Sequence, residues 1–282
     1  MENVLTETKF LMKKYNITAN KSLGQNFLVD DNTVNEIIDS ADITKQDLVI
    51  EIGPGLGTLT SRLLEKAYKV IAVELDDRMI KILNDRFIAY NNFELINEDI
   101  LKVDLNKLIN ENKLDCENVK IVANLPYYIT TPIIMKLLED RLNIGNITVM
   151  VQKEVADRIV TKPGDKLSGA ITYSVYYYAE PQEVCFVSKE SFIPSPEVDS
   201  KVIKLNIRKK PPIEVRNEEL FFKVVKASFM QRRKTLLNGL LNGGIINSKE
   251  EGKKVLDKLN LPENIRGESL TIEQFAAIAN EV

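Results

Sequence analysis

The sequence predicts an α/β fold, a Rossmann-like and mostly parallel sheet with an antiparallel last strand, followed by a small all-helical domain. Three observations carry this expectation. Short apolar runs rich in β-branched residues recur at LVIEIG, KVIAVEL, FELINEDI and VKIVANLPY, separated by helix-like stretches such as LTSRLLEKA and RMIKILNDRFIAY. The polar residues that close those runs, Glu51, Glu74, Asp99 and Asn124, fall 23, 25 and 25 residues apart, the spacing of successive βα units. The double proline of RKKPP, residues 208–212, can continue neither a helix nor a central strand, and helical patterns follow it. The expected domains are therefore residues 1–208 and 213–282.

Element by element, VLTETKFLMKKY is an amphipathic stretch, and KSLGQNFLVDD is too rich in Gly, Gln and Asn to be core. Asp31 or Asn32 can cap a helix through about Ser40, because a short polar side chain accepts the free amides of a first turn. The four βα units come next, then a helix over Pro132 to Glu139 and a strand NITVMVQ. The Tyr-rich half of LSGAITYSVYYYAEPQEVCFVSKESF suits strand or helix. KVIKLNIR alternates and reads as the closing strand, an antiparallel hairpin partner of EVCFV. Beyond residue 212, ELFFKVVKASFMQRRKTLLNGLL reads as one helical run. Ser248 with Glu251 and Thr271 with Gln274 have capping-box spacing for two more helices.

Composition narrows the chemistry. The 282 residues are 44% hydrophobic and 28% charged, ordinary for a globular chain. The chain has no histidine, which excludes a Ser-His-Asp triad and nearly every zinc site, and no metal is expected. Cys116 and Cys185 stand far apart without a CxxC, as reduced thiols would. The N-terminus lacks the order of a signal peptide and no apolar run is long enough to span a bilayer, so the expectation is a soluble, cytoplasmic protein with no membrane partner. The net charge of −3 hides an asymmetry: −9 over residues 1–200, +6 over 201–282, and +8 within 201–234. The basic segment is either a seat for a polyanion or a solvated helix face.

The motifs supply the rest. In EIGPGLGT, Gly53, Gly55 and Gly57 lie between a strand and a helix, where glycines let backbone amides approach a ligand. Thr58 stands where the dinucleotide fingerprint needs its last glycine, so a pyrophosphate cofactor is disfavoured. At the end of the second strand, Glu74 can accept both hydroxyls of a ribose. Asp99 can accept from the exocyclic amine of an adenine. The three together describe an adenosyl ligand without phosphates, and S-adenosylmethionine fits best. The tetrapeptide Asn124-Leu125-Pro126-Tyr127 closes the fourth strand. An adenine amino group is a poor nucleophile because its lone pair is delocalised into the ring. Two acceptors, the Asn124 side-chain oxygen and a backbone carbonyl near Leu125 or Pro126, would bind its hydrogens and favour a tetrahedral nitrogen. Tyr127 would stack on the extruded base.

In these residues the chain resembles the ribosomal RNA adenine N6,N6-dimethyltransferases that modify two adjacent adenosines near the 3′ end of small-subunit (16S) ribosomal RNA. The matching stretches are KSLGQNFL from Lys21 to Leu28, EIGPGLGTLT, Glu74, NEDI from Asn97 to Ile100, NLPYYITTPII, and FIPSPEVDS from Phe192 to Ser200. The resemblance implies a class I methyltransferase sheet over residues 1–208 and a helical RNA-binding domain over 213–282. It implies cofactor contacts from Asn26, Leu28, Gly53, Glu74, Asp99 and Asn124, and places Phe192 across the target adenine from Tyr127. It also implies a monomer acting on a pre-30S particle. Arg232, Arg233 and Lys234, in the basic segment, are the expected RNA contacts. Two rivals are the related large-subunit (23S) adenine methyltransferases of antibiotic resistance and a non-catalytic ribosome-assembly factor. The larger helical tail argues against the first, the intact glycine and NLPY motifs against the second.

Overall fold

The computed structural model describes residues 3–113, 116–231 and 233–282. The chain opens with α1 (Val4–Lys14), a two-residue strand β1 (Phe27–Leu28) and α2 (Asp31–Ser40). Strands and helices then alternate through β2 (Asp47–Ile52), α3 (Thr58–Lys66), β3 (Lys69–Glu74), α4 (Asp77–Phe87), β4 (Phe93–Asn97), α5 (Leu105–Asn112), β5 (Asn118–Asn124), α6 (Thr130–Glu139) and β6 (Asn146–Gln152). After α7 (Lys153–Val160) and α8 (Ala170–Tyr178) come β7 (Ala179–Val187), the short β8 (Phe192–Ile193) and β9 (Ser200–Ile207). Helices α9 (Glu218–Phe229), α10 (Leu236–Asn242), α11 (Lys249–Lys258) and α12 (Ile272–Glu281) complete the chain.

Seven strands form one sheet in the order β4-β3-β2-β5-β6-β9-β7. The first five pair in parallel and β9 runs antiparallel to β6, the architecture expected. All six residues of β2 are buried, because a parallel strand is covered on both faces and can carry apolar side chains on each. The chain builds outward from β2 to β4, then returns to lay β5 on the other side of β2. That reversal is a switch point, and a crevice opens outside the carboxyl ends of the strands that flank it. The second, two-stranded sheet joins β1 to β8 antiparallel, with Phe27 opposite Ile193 and Leu28 opposite Phe192.

The structure corrects some expectations and refines others. Glu51 lies inside β2 rather than at its end, opposite Ala72, and Asp99 lies two residues beyond β4. The cap of α2 is Asp30, whose carboxylate accepts from the Thr33 amide and hydroxyl, while Asp31 accepts from the Val4 amide. The Tyr-rich stretch is helix until Tyr178 and strand from Ala179. The expected single helix after residue 218 is two. The Leu236 amide donates to Ile265 O outside the helix, and α10 turns back so that Gly239 and Gly243 press on Ala227 of α9. A Cβ at Gly239 would lie 2.9 Å from Ala227 O, so glycine permits that close approach. β9 is the sheet neighbour of β7, and it also inserts beside β6.

The chain divides into two compact units, Met1–Ala156 with Pro181–Ile207, and Asp157–Glu180 with Arg208–Val282. This differs from a cut between residues 208 and 213, because residues 157–180 group with the tail. The reason is packing: Tyr173 and Tyr177 of α8 share an apolar core with Phe221, Val224, Leu240 and Phe275. The first unit has its own core, in which Val34, Ile37, Val49, Leu63, Val70 and Leu83 are buried together. Among the described residues, no helix is long and apolar enough to cross a membrane.

Candidate active site

A cleft opens at the carboxyl ends of β2, β3 and β5, lined by residues 23–28, the glycine loop after β2, Glu74, Asp99 and residues 124–129. The space between its walls, open solvent at the mouth included, is about 1080 Å³. Gly53 and Gly55 take φ of +66° and +58°, the left-handed region that glycine enters without strain. A Cβ at Gly53 would meet nothing within 4 Å. Gly57 serves packing instead, since a Cβ there would fall 2.7 Å from the Phe87 ring.

Glu74 is 7% exposed and has no ion-pair partner among the described residues. Its Oε2 accepts from the Gly55 amide at 3.1 Å and its Oε1 from the Leu75 and Asp76 amides, each at 2.8 Å. Burial pushes its pKa above the usual carboxylate value against the pull of those amides. Oε1 is saturated and Oε2 keeps a lone pair, which directs a ligand hydroxyl to Oε2 rather than to both oxygens. Beneath the loop, Glu51 is 1% exposed and accepts from Thr60 Oγ1 at 2.6 Å. Burial raises its pKa to about 8, the Glu74 charge adds to the rise, and Arg86 opposes it. Asp99 accepts from the Leu101 amide through Oδ1, at 2.9 Å, which leaves Oδ2 for the cleft.

Asn124 is oriented by its neighbours. Its Nδ2 donates to Asn26 O at 3.3 Å, and the Asn26 side chain in turn donates to Gly24 O at 3.2 Å. With Nδ2 occupied, Oδ1 is the group presented to a ligand. The Pro126 carbonyl accepts from Thr130 Oγ1 at 3.0 Å and from the Ile129 amide at 3.3 Å. The Leu125 amide donates to Met150 O at 3.1 Å. Among the described bonds Leu125 O accepts none, so it and Asn124 Oδ1 are the two open acceptors at the end of β5. Tyr127 is half-buried, its hydroxyl bonded to Ser200 Oγ at 2.6 Å, and burial raises its pKa. A cleft with two adjacent open acceptors for an amine, a stacking ring and a separate carboxylate for a ribose suits the N-methylation of an adenine.

A family model described as ribosomal RNA adenine dimethylase matches residues 16–282. The chain belongs to this family. Ribosomal RNA small subunit methyltransferase A of Clostridioides difficile is 50% identical over 273 residues, 97% of this chain and 94% of the relative. The protein of that name from Alkaliphilus oremlandii is 48% identical over 276 residues, 98% of this chain and 96% of the relative. Among solved structures, a dimethyladenosine transferase from Plasmodium falciparum superposes with a TM-score of 0.73 at 28% identity, covering 89% of this chain and 95% of that one. The 23S rRNA methyltransferase ErmE gives 0.68 at 26% identity, covering 91% and 99%. As a ribosomal RNA adenine dimethylase the chain is an enzyme whose cofactor is S-adenosylmethionine. The cleft fits that cofactor, with a carboxylate, Glu74, that has no ion-pair partner among the described residues, and open space where a side chain at Gly53 would project.

The structure gathers nearly all the expected dimethylase residues in this one cleft: Asn26, Leu28, Gly53, Gly55, Glu74, Asp99, Asn124, Leu125, Pro126 and Tyr127 all line it. Phe192 does not. It is 3% exposed and packs in the core of the first unit, where its backbone pairs with Leu28. Arg233 and Lys234 are exposed in the second unit, and Arg232 lies outside the described residues. Sequence reasoning missed Ser200, the partner of Tyr127, and Ile100, a buried apolar wall of the cleft. Both stand within the quoted motifs, Ser200 closing FIPSPEVDS and Ile100 following Asp99. Thr60, the partner of Glu51, closes EIGPGLGTLT, but nothing in the sequence pairs the two.

Proposed function

We propose that the chain dimethylates N6 of two adjacent adenosines near the 3′ end of small-subunit (16S) ribosomal RNA, acting as a cytoplasmic monomer on a pre-30S particle. The single observation that carries this reading is the pair of open acceptors, Asn124 Oδ1 and Leu125 O, beside the half-buried Tyr127. The relatives' names support the small subunit as the target.

When bound, S-adenosylmethionine supplies a methyl group made electrophilic by its positive sulfur. Glu74 Oε2 and Asp99 Oδ2 would hold its ribose and adenine, and the loop of Gly53 and Gly55 admits its backbone-facing side. In the first transfer Asn124 Oδ1 and Leu125 O would each accept one hydrogen of the target amine, and in the second one of them would accept the hydrogen that remains. This draws the nitrogen toward the tetrahedral form whose lone pair attacks the methyl carbon as its bond to sulfur breaks and S-adenosylhomocysteine leaves. Asn26 holds the Asn124 amide in the orientation that makes this work. Tyr127, fixed through Ser200, stacks on one face of the extruded base. For Phe192 to stack on the other face, as the resemblance implies, its ring must turn out of the core. No strong base is required, because the nitrogen loses its proton after it has become cationic, and a chain without histidine suffices. Arg232, Arg233 and Lys234 are assigned to phosphate contacts, which the exposure of Arg233 and Lys234 supports.

The test is transfer of labelled methyl groups to each ribosomal subunit separately. Label in the small subunit alone is expected. Label in the large subunit assigns the 23S activity instead, and label in neither makes the chain a binding factor.

A further inference from the structure

We propose that Tyr128 is a second stacking platform, which holds the nucleotide adjoining the adenosine bound at Asn124 and Tyr127. The inference rests on the function proposed above and deepens it by naming how the neighbouring base is read. Tyr127 and Tyr128 are consecutive and line the same cleft, yet they are placed in opposite ways. Tyr127 is half-buried with its hydroxyl tied to Ser200, whereas Tyr128 is 55% exposed and its hydroxyl has no partner among the described residues. Unlike exposed apolar side chains such as Phe10, Ile88 and Met230, Tyr128 stands in the wall of the cleft itself.

The ring is nevertheless held in place. Residues 127–129 form a single 3-10 turn, and Gly24 closes on the ring from the opposite wall. A Cβ built on Gly24 would lie 3.1 Å from Tyr128 Cδ1 and 3.3 Å from Cε1, so Gly24 meets the ring along one edge. The Gly24 loop is itself pinned, because Gln25 Nε2 donates to Asp76 Oδ2 at 2.8 Å and the Asn20 amide donates to Gln25 Oε1 at 2.9 Å. Held by its edge on a fixed loop, the ring loses little freedom when a base stacks on it.

The placement suits RNA. Tyr127 and Tyr128 are chain neighbours lining one cleft, Tyr127 half-buried and Tyr128 at its exposed mouth, so a strand that delivers a base inward to Tyr127 carries its next nucleotide past the Tyr128 ring. Stacking tolerates any base, so the contact would fix the register of the strand while Asn124 and Leu125 select adenine. One platform would then serve both adenosines of an adjacent pair, because whichever is in the site leaves the next nucleotide beside it.

The test uses the full chain, S-adenosylmethionine and unmethylated small subunits, with steady-state transfer and cofactor calorimetry on four proteins: wild type, Tyr128→Ala, Tyr128→Leu and Tyr128→Phe. Removing the ring is expected to raise KM for the subunit by roughly 10-fold, within the range that alanine substitution of stacking aromatics gives. Turnover and cofactor affinity should hold. Tyr128→Phe should match wild type, because the stack needs the ring and not the hydroxyl. Tyr128→Leu should stay impaired, because it keeps bulk against Gly24 but presents no π-face. An unchanged KM in Tyr128→Ala overturns the inference, as does a Leu variant as good as Phe. Cofactor affinity that falls in step with KM also overturns it, since the ring would then be serving only the Gly24 loop. If wild type transfers nothing to small subunits, the proposed function fails and the inference with it, which is distinguishable from a wild type that works beside an equally active Tyr128→Ala.

Discussion

The two ends of the same parallel strands carry the same kinds of residue and do opposite things with them. At the amino ends, Asp47 of β2 is paired with Lys120 of β5 at 2.9 Å, and its Oδ2 also accepts from the Thr44 amide at 2.7 Å and hydroxyl at 3.0 Å. Asn146 of β6 donates there to Ala41 O at 3.3 Å. Burial pushes the Asp47 carboxyl up, but Lys120 and Thr44 outweigh it and hold it below the usual carboxylate range. At the carboxyl ends, Glu74 and Glu51 lie above that range, no ion pair to either is found among the described residues, and Asn124 and Leu125 keep open oxygens. A polar residue at a strand end is therefore no sign of a site by itself. The sign is a buried acid without a cation beside a cleft; an acceptor without a donor is not enough, since Asp47 Oδ1 and Asn146 Oδ1 at the amino ends are also buried without one.

Breaking the closed end should give the largest effect, and it should be on stability. Lys120→Met leaves the Asp47 charge buried without its partner, and we expect a loss of about 3–5 kcal/mol in urea unfolding, with the cofactor affinity of the folded protein unchanged. A loss of cofactor affinity greater than the loss of folded protein would show that the two ends are coupled. At the open end the effect should be on chemistry. Asn124→Ala should slow methyl transfer by about 100-fold or more, as removal of one transition-state acceptor or donor does, while the melting temperature holds. Near-normal turnover in that variant would remove Asn124 from the reaction.

Glu74→Ala sharpens the comparison on the binding side. It should weaken cofactor affinity by about 1–3 kcal/mol, the value of a hydrogen bond to a charged group. Calorimetry that finds the affinity unchanged would move the ribose elsewhere along the sheet. A further effect concerns pH. The pKa of Glu51 is raised from 4.5 to about 8, so the folded state holds this proton more tightly than the unfolded chain does. Stability is unaffected below the unfolded value, falls as pH rises from about 4.5 to about 8, and is level above that. Glu51→Gln should remove that slope, so melting temperatures of the two proteins should diverge from pH 5 to pH 8 with the variant the more stable. Parallel curves would mean that Glu51 is ionised throughout.

How far the sequence could be read follows from the same contrast. The four runs around Glu51, Glu74, Asp99 and Asn124 gave the parallel strands because β-branched periodicity is local, and the register of Glu74 and Asn124 came with it. Asp99 sits beyond its strand because β4 stops at Asn97, whose side chain bonds back to Glu74 O at 3.2 Å. Ser200 was not legible, since its bond to Tyr127 exists only because β9 inserts beside β6. The burial of Phe192 is equally non-local, a product of its pairing with Leu28. The break between α9 and α10 had a local trace in Gly239 and Gly243, four residues apart on the face that closes on Ala227. The choice of Leu125 O over Pro126 O needed the structure, because it turns on which carbonyl Thr130 and Ile129 occupy.

The claim that the open ends of these strands form an adenine-N6 dimethylating site on small-subunit RNA is tested most directly by mass mapping of modified adenosines. Unmethylated small subunits would be incubated with S-adenosylmethionine and either wild type or Asn124→Ala. The account predicts two methyl groups on each of two adjacent adenosines near the 3′ end with wild type, and unmodified RNA with the variant. Methyl groups on any other nucleotide, or the same modification with Asn124→Ala as with wild type, would contradict it.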